Sequence, residues 1–263
     1  MRELLTVQNP KIAKGAKFGW HTAALHLAPW KSSGYQVCIH ATGAHATETT
    51  PEEPGCIIAC LDKAGRAELS ALPSQIARHG HDVVAEARKR RTRLFFRDPV
   101  GFWERFDWEL RRQKWRAKEL GLKFAVRLNA TSDLPWERIK CGEHANVMEK
   151  WPDVTWYDYS AYPLEKRGVG GVLPPNYSLT YSLKNATKWP IAEAALKSGA
   201  NIAVVSVYDR PASWRGWPTV DGDRHDLRFL DERPAVVWLK LKGRAQRRAA
   251  AAGADFGGFL VAA

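Results

Sequence analysis

The sequence predicts a single α/β domain, built on a mainly parallel sheet and resembling a βα barrel that is partial or irregular. Two observations lead to this fold class. After Gly121, five short segments rich in β-branched and aromatic residues follow one another, and a compact amphipathic helix is predicted at 190–198 between two of them. The predicted strands cover residues 123–128, 154–157, 177–181, 201–207 and 235–241. Their spacing favours a barrel-like arrangement slightly over an open, doubly wound sheet.

The chain before Gly121 has a different pattern, which divides the predicted domain into three parts. Residues 1–62 form a cysteine-bearing segment that begins with a loop-rich lead-in, contains a short strand at 34–38 and reaches a first helical turn at 56–61. Residues 63–121 form basic helices, predicted at 76–96 and 100–120, with Phe102, Phe106 and Leu110 as one apolar stripe and Gly121 as the stop signal. Residues 122–263 form the βα repeats.

The charge distribution predicts a phosphate-bearing partner. The formal net charge is +12, and the stretch 84–123 alone holds thirteen basic and six acidic residues. Such a cluster favours nucleic acid or a nucleotide-like substrate, although a solvated helix face would give the same pattern. Most of the twelve tryptophans are expected to pack helices on the sheet, while others could stack on bases or on a cofactor ring.

Some protein classes are disfavoured by what the sequence lacks. No apolar stretch suits a signal peptide or a membrane span, so we expect a cytoplasmic protein of a bacterial host cell. Neither G-x-G-x-x-G nor G-x-x-x-x-G-K-[ST] occurs, which argues against a Rossmann dinucleotide site and a P-loop ATPase. The oligomeric state is left open.

Polar residues follow the predicted strands, and in parallel sheets such residues meet at the carboxyl edge, where ligands bind. Asp133 and Asp158 are the candidate catalytic residues, as general base or nucleophile. Asn129 and Ser132 are candidates for binding a cofactor, and Tyr157 and Tyr159 for binding the substrate. The alternative is structural, because Asp and Ser after a strand also cap helices and close turns.

The segment 221–226 places three carboxylates and a histidine in six residues, so Asp221 and Asp223 are further candidates for substrate binding. They would bind a hard cation or substrate hydroxyls, but the segment does not match the calcium-loop pattern. Turn chemistry alone would also explain Asp-Gly-Asp.

Three cysteines are the candidate metal ligands. Cys56 and Cys60 are four residues apart, so on a helix their sulfur atoms share one face about 6 Å apart. Cys38, at the end of a predicted strand, supplies a third thiolate, which suits a 4Fe–4S cluster or tetrahedral zinc with one open position. His40, His45 and Cys141 are possible fourth ligands. The alternative is three buried, reduced cysteines that pack as small apolar residues.

Taken together, several segments resemble the phage and bacterial gene product 88 family, whose members occur on phages and mobile elements. The matching pieces include Asn9-Pro-Lys-Ile, Gly55-Cys56 through Cys60-Leu61, Ala64-Gly65-Arg66, Val126-Arg-Leu-Asn129, Thr131-Ser-Asp133-Leu-Pro-Trp136, Asn176-Tyr177 and Asp221-Gly-Asp223. The resemblance covers almost the whole chain and adds Arg66 and Asn176 to the substrate-binding candidates. The family has no established activity. A weaker analogy links the sequence to radical-SAM-like proteins, because three early cysteines are followed by a strand that ends in an Asn/Ser-Asp motif. The sequence departs from C-x-x-x-C-x-x-C, since seventeen residues separate Cys38 from Cys56.

The leading functional prediction is a radical-SAM-like enzyme with a 4Fe–4S cluster and S-adenosylmethionine, acting on a nucleic acid or a nucleotide-like substrate. Two other predictions remain. One is a barrel enzyme that exchanges nucleic-acid bases as a transglycosylase does, with structural zinc at the cysteines and Asp133 or Asp158 as nucleophile. The other is a DNA-binding accessory protein without catalysis.

Overall fold

The fold is built on one nine-stranded sheet. The computed structural model describes residues 3–7, 10–38, 66–168, 173–185, 188–243, 247, 250–251, 253 and 258–262. Its strands are β1 (Leu5–Thr6), β2 (Trp20–Leu25), β3 (Lys123–Arg127), β4 (Thr155–Ser160), β5 (Tyr177–Ser182), β6 (Ile202–Ser206), β7 (Ser213–Trp214), β8 (Trp217–Asp221) and β9 (Val236–Lys240). Their order in the sheet is β1-β2-β3-β4-β5-β6-β9-β8-β7.

All neighbouring strands from β2 to β8 run parallel, and only β1 and β7 are antiparallel to their neighbours. This confirms the α/β class and the mainly parallel sheet. It does not confirm the barrel, because in the described chain the sheet ends at β1 and β7, and no strand pairing joins these two edges. The sheet is therefore open.

The helices lie mostly before β3. They are α1 (Pro10–Ala13), α2 (Trp30–Ser33), α3 (Arg66–Ser70), α4 (Pro73–His79), α5 (Val83–Arg97), α6 (Pro99–Glu119), α7 (Val147–Lys150) and α8 (Trp189–Lys197). Single 3₁₀ turns occur at Lys14–Phe18, Trp136–Arg138, Leu164–Arg167 and Arg228–Leu230. None of these helices is long and apolar enough to cross a membrane.

Helix α6 packs its predicted apolar stripe on the sheet. Phe102, Phe106 and Leu110 are fully buried, and the Phe106 ring stacks on Trp156 of β4 with 6.4 Å between ring centroids. The register places Trp156 beside Val126 of β3, so these residues belong to the same side of the sheet. We call this the helix side.

Local capping explains where the basic helices begin and end. The predicted helix 76–96 is wrong as a single helix, because Gly80 takes a φ of 74° and ends α4. Asp82 then starts α5, its Oδ1 accepting from the backbone N–H groups of Val84 and Ala85. Gly121, with a φ of 65°, follows the end of α6 as predicted.

Two predictions for the N-terminal part are wrong. The lead-in contains β2, which pairs with β3 inside the sheet, because the side chains of Ala23 and Leu25 are fully buried against the core. Residues 34–38 form no strand. They follow α2 as an irregular segment, held where the Asp133 N–H donates to the Val37 carbonyl at 2.8 Å. The predicted helical turn at 56–61 lies outside the described residues.

Candidate functional site

The loop that follows β3 is shaped by the side chain of Asn129. Its Oδ1 accepts hydrogen bonds from Ser132 Oγ at 2.8 Å, from the Leu134 N–H at 2.9 Å and from Trp136 Nε1 at 2.9 Å. Its Nδ2 donates to the Leu134 carbonyl at 2.9 Å. One buried amide thus folds residues 129–136 into a compact turn, which presents Asp133 at the carboxyl edge of the sheet.

Asp133 is bound to an arginine that the sequence analysis missed. Arg167, in the 3₁₀ turn after β4, donates from Nη1 to Asp133 Oδ1 at 3.2 Å and to Ser160 Oγ at 2.9 Å. Its Nε and Nη2 donate to the two carboxylate oxygens of Glu137 at 2.5 and 2.8 Å. Arg167 lies seven residues beyond β4, so inspecting only the residues next to each strand end could not find it.

Asp158 connects to the same network through a tyrosine. Its Oδ1 accepts from the Asn129 N–H at 2.6 Å, and its Oδ2 accepts from the Tyr177 hydroxyl at 2.9 Å. Arg167 Nη2 reaches the same hydroxyl at 3.5 Å. The two predicted catalytic aspartates are therefore joined by a chain of hydrogen bonds on the helix side of the sheet.

Burial changes the acidity of both aspartates. Asp158 is fully buried, and desolvation raises its pKa from 3.8 to about 7, against the opposing effects of the Asn129 N–H and Arg127. Desolvation also raises the pKa of Asp133, although Arg167 favours its charged form. A carboxyl group with a pKa near neutrality can take up and release protons at physiological pH.

A cavity of about 340 Å³ opens beside Asp133. Its lining includes Cys38, Asp133, Arg138, Tyr162, Lys166 and Arg167. Cys38 is partly exposed. It directly follows Val37, whose carbonyl accepts the hydrogen bond from the Asp133 N–H. The cavity thus brings a thiol, a buried carboxylate and several cations together at the carboxyl edge of β3 and β4.

A second polar cluster lies on the opposite side of the sheet. Arg127 Nη1 donates to both oxygens of Asp226 at 3.2 and 3.0 Å, and the Tyr157 hydroxyl donates to the same carboxylate at 3.3 Å. The guanidinium of Arg127 lies over the Tyr159 ring, 4.6 Å from its centroid. The Tyr159 hydroxyl and the Oγ1 of Thr180 are buried without a hydrogen-bond partner in the described structure. This cluster could hold a polar ligand.

The remaining predicted site residues lie apart from the cavity. Tyr157 and Tyr159 alternate with Asp158 along β4 and contact the second cluster. Asn176 lies immediately before β5, where its Nδ2 donates to the carbonyls of Met148, Trp151 and Val154.

Asp221 and Asp223 close the end of β8, which three strands separate from β4. Asp221 Oδ1 accepts from the Asp223 N–H at 2.8 Å, and Asp223 Oδ2 accepts from the Lys240 N–H at 3.0 Å. These bonds form a turn, as the structural alternative proposed, and the role of both residues in substrate binding stays a prediction.

Two predicted ligands cannot be placed. Cys56 and Cys60 lie outside the described residues, as do His40 and His45, and Arg66 is described only as the first residue of α3. Within the described ranges, no group of three His, Cys, Asp or Glu side chains is arranged to hold a metal ion. Cys141 is fully buried, and burial raises the pKa of its thiol to about 11.

Comparison with known proteins decides the family. The family model described as gene product 88 matches residues 3–254, which is nearly the whole chain. The protein belongs to the gene product 88 family. No curated protein and no solved structure matches this gene product 88 chain. The resemblance inferred from the sequence segments is therefore confirmed.

Proposed function

We propose that this gene product 88 protein is an enzyme that acts on a nucleotide or nucleic-acid substrate in the cavity between Cys38 and Asp133. The observation that carries the proposal is the composition of this cavity, in which a thiol and a buried carboxylate face two exposed cations. Ligands of parallel α/β sheets bind at this edge, which supports the location.

The cations of the cavity support a phosphate-bearing substrate. Arg138 and Lys166 are exposed at the cavity, and neither forms an ion pair with a carboxylate in the described structure. An Arg138 N–H donates to the backbone carbonyl of Lys166, which keeps the two residues together. Their charges remain available to a phosphate group.

Asp133 has the role of the proton-transferring or nucleophilic group in this proposal. Arg167 and the Ala161 N–H hold its two oxygens, so the carboxylate keeps one orientation at the cavity wall. Asn129 and Ser132 shape the loop that carries it, and Asp158 is a positioning residue that acts through Tyr177 and Arg167.

We further propose that Cys38, Cys56 and Cys60 hold a metal centre beside this cavity. Cys38 fits the role of a ligand, because its thiol is partly exposed on the same lining as Asp133. A 4Fe–4S cluster with S-adenosylmethionine would supply one-electron chemistry, whereas zinc at the same cysteines would be structural, as in a base-exchange enzyme.

Metal analysis after anaerobic purification tests this proposal. We expect about four iron and four sulfide ions per chain in the reconstituted protein, and a marked loss of both in Cys38→Ser. Cys141→Ser is the matched control, because this thiol is fully buried and does not line the cavity, so its loss should leave the iron content unchanged. Zinc without iron would favour the base-exchange alternative. If Cys38→Ser retains all the metal, the assignment of Cys38 is wrong.

The substrate class has its own test. We expect nucleoside triphosphates to bind in isothermal titration calorimetry, and Arg138→Ala and Lys166→Ala to weaken the binding. The control is Lys197→Ala, because Lys197 is an exposed lysine of α8 that pairs with Glu193. With S-adenosylmethionine as the co-reactant, the reduced holoprotein should change the mass of an oligonucleotide substrate, and Asp133→Asn should abolish the change. Equal nucleotide binding by Arg138→Ala, Lys166→Ala and the control Lys197→Ala would contradict the assigned phosphate site.

A further inference from the structure

The outer surface of α6 exposes two large aromatic side chains. Trp108 and Trp115 are 59% and 58% exposed, although the same helix buries its apolar stripe completely. They are seven residues apart, so they lie on one face of the helix about 10 Å apart along its axis. Half-exposed tryptophans contribute little to the packing of the core, which leaves apolar surface available to a partner. On Trp108 this is the face opposite the Arg112 guanidinium, which lies 4.9 Å from the ring centroid.

A shallow groove of about 530 Å³ lies beside Trp115. It is lined by Arg111, Lys114, Trp115, Lys118 and Trp151. The Arg111 guanidinium and the Lys114 ammonium both lie 5.6 Å from the centroid of the Trp151 ring. Trp151 is itself held by a 3.0 Å hydrogen bond from its Nε1 to Asp107. The groove therefore combines the fixed aromatic ring of Trp151 with the basic side chains of Arg111, Lys114 and Lys118.

The charge of this surface is only partly neutralised. Lys114 pairs with Asp153, and Arg112 pairs with Glu3. Arg111, Arg116 and Lys118 form no ion pair with a carboxylate of the described chain. Three uncompensated cations beside two exposed indole rings make a surface that is both basic and aromatic.

We propose that this surface of α6 binds a single-stranded nucleic acid, with bases stacked on Trp108 and Trp115 and phosphates held by Arg111 and Lys118. Stacking on a side chain requires an unpaired base, whereas the cations follow the sugar–phosphate backbone. The alternation of indole rings with basic side chains matches this partner more closely than an apolar protein partner, whose interface would be depleted of lysine.

The proposed surface is separate from the cavity. Helix α6 ends beside the start of β3, since the Leu122 N–H donates to the Ala117 carbonyl, so Trp115 and Lys118 lie towards the amino edge of the sheet. The cavity lies at the carboxyl edge. The inference shares with the proposed function only the class of partner, and either can fail without the other.

Fluorescence anisotropy with labelled oligo(dT), oligo(U) and a duplex of mixed sequence tests the inference. We expect both single strands to bind more tightly than the duplex and to quench tryptophan fluorescence. Trp115→Ala should weaken single-strand binding about 5- to 150-fold, the effect of losing one stacked base. Trp30→Ala is the matched control, because Trp30 is an exposed tryptophan of α2 and its loss should leave the affinity unchanged.

The salt dependence tests the role of the cations. The slope of log affinity against log salt is negative. Arg111→Ala and Lys118→Ala should each reduce its magnitude by about 0.7, while Lys197→Ala should not change it. Trp115→Ala should bind nucleoside triphosphates in calorimetry like the unchanged protein, because Trp115 does not line the cavity, which separates this inference from the proposed function. Equal affinities for Trp115→Ala and Trp30→Ala, tighter binding of the duplex, or binding to anionic lipid vesicles but not to oligonucleotides would overturn it.

Discussion

Replacing Asp158 by asparagine should alter how the stability of the protein depends on pH. The pKa of Asp158 is about 7 in the folded protein, against 3.8 for an ordinary aspartate, because the carboxyl group is fully buried. The folded state therefore holds a proton between these pH values that the unfolded state has released. Stability from this group is fully present below pH 3.8 and is lost as the pH rises through about 7.

The size of the effect follows from the shift. A change of about three pH units, at 1.36 kcal/mol per unit, corresponds to about 4 kcal/mol of unfolding free energy between pH 4 and pH 8. Asparagine is close to the protonated carboxyl group in shape and cannot ionise. Its carbonyl can still accept from the Asn129 N–H, so Asp158→Asn should escape this loss. Relative to the unchanged protein, the variant should gain up to about 4 kcal/mol over this range.

Urea unfolding of both proteins at pH 4, 6 and 8 measures this difference. Subtracting the two curves removes the contributions of other groups. Among these are His26 and His225, whose lowered pKa values make stability rise with pH, opposite to the effect of Asp158. Asp209→Asn is the control, because Asp209 is exposed and Lys240 lowers its pKa, so its difference should be small and of opposite sign. A difference for Asp158→Asn that stays constant within about 1 kcal/mol, or that falls with rising pH, would refute the reasoning.

Three further predictions concern other parts of the fold. Burial lowers the pKa of His26 to about 3, so the folded protein should lose about 2 kcal/mol between pH 6.5 and pH 5, and His26→Gln should remove this loss in urea unfolding. Arg167→Met should cost about 3–5 kcal/mol, because it leaves the buried carboxylate of Asp133 without its cation, and Arg167→Lys should cost less by the same measurement. Gly222→Ala should lower the stability by about 1–3 kcal/mol in thermal unfolding, because the new Cβ would lie 2.6 Å from Leu239 Cδ2, and an unchanged Tm would contradict this.

Five of the seven described strands after Gly121 were predictable, because each is a short run of β-branched and aromatic residues bounded by turn residues, whereas β7 and β8 were not predicted. The strands observed at β3, β4, β5, β6 and β9 differ from the predicted ranges by only a few residues. Strand β2 was missed, since its sequence Trp-His-Thr-Ala-Ala-Leu has weak strand propensity and is stabilised by its place beside β3.

The site was predictable only in part. Asp133 and Asp158 were found because both follow predicted strands, at 123–128 and 154–157, and parallel strands bring such residues to one edge. In the structure Asp158 lies inside β4, and Asp133 lies six residues beyond β3. Arg167 and Tyr177 were missed as members of the site. Their connection to the aspartates depends on how the chain returns after β4 and on the register between β4 and β5.

The sequence by itself determined the class of the fold, the basic helices and the family, because periodicity, composition and motif sets are local properties of the chain. Only the tertiary structure decided that the sheet stays open, that Asn129 shapes the loop of Asp133, and that Tyr157 and Asp158 serve opposite sides of the sheet. It also decided which tryptophans of α6 remain exposed. These features depend on contacts between residues far apart in the sequence, and such contacts form only when the strands pair in the order of the folded sheet.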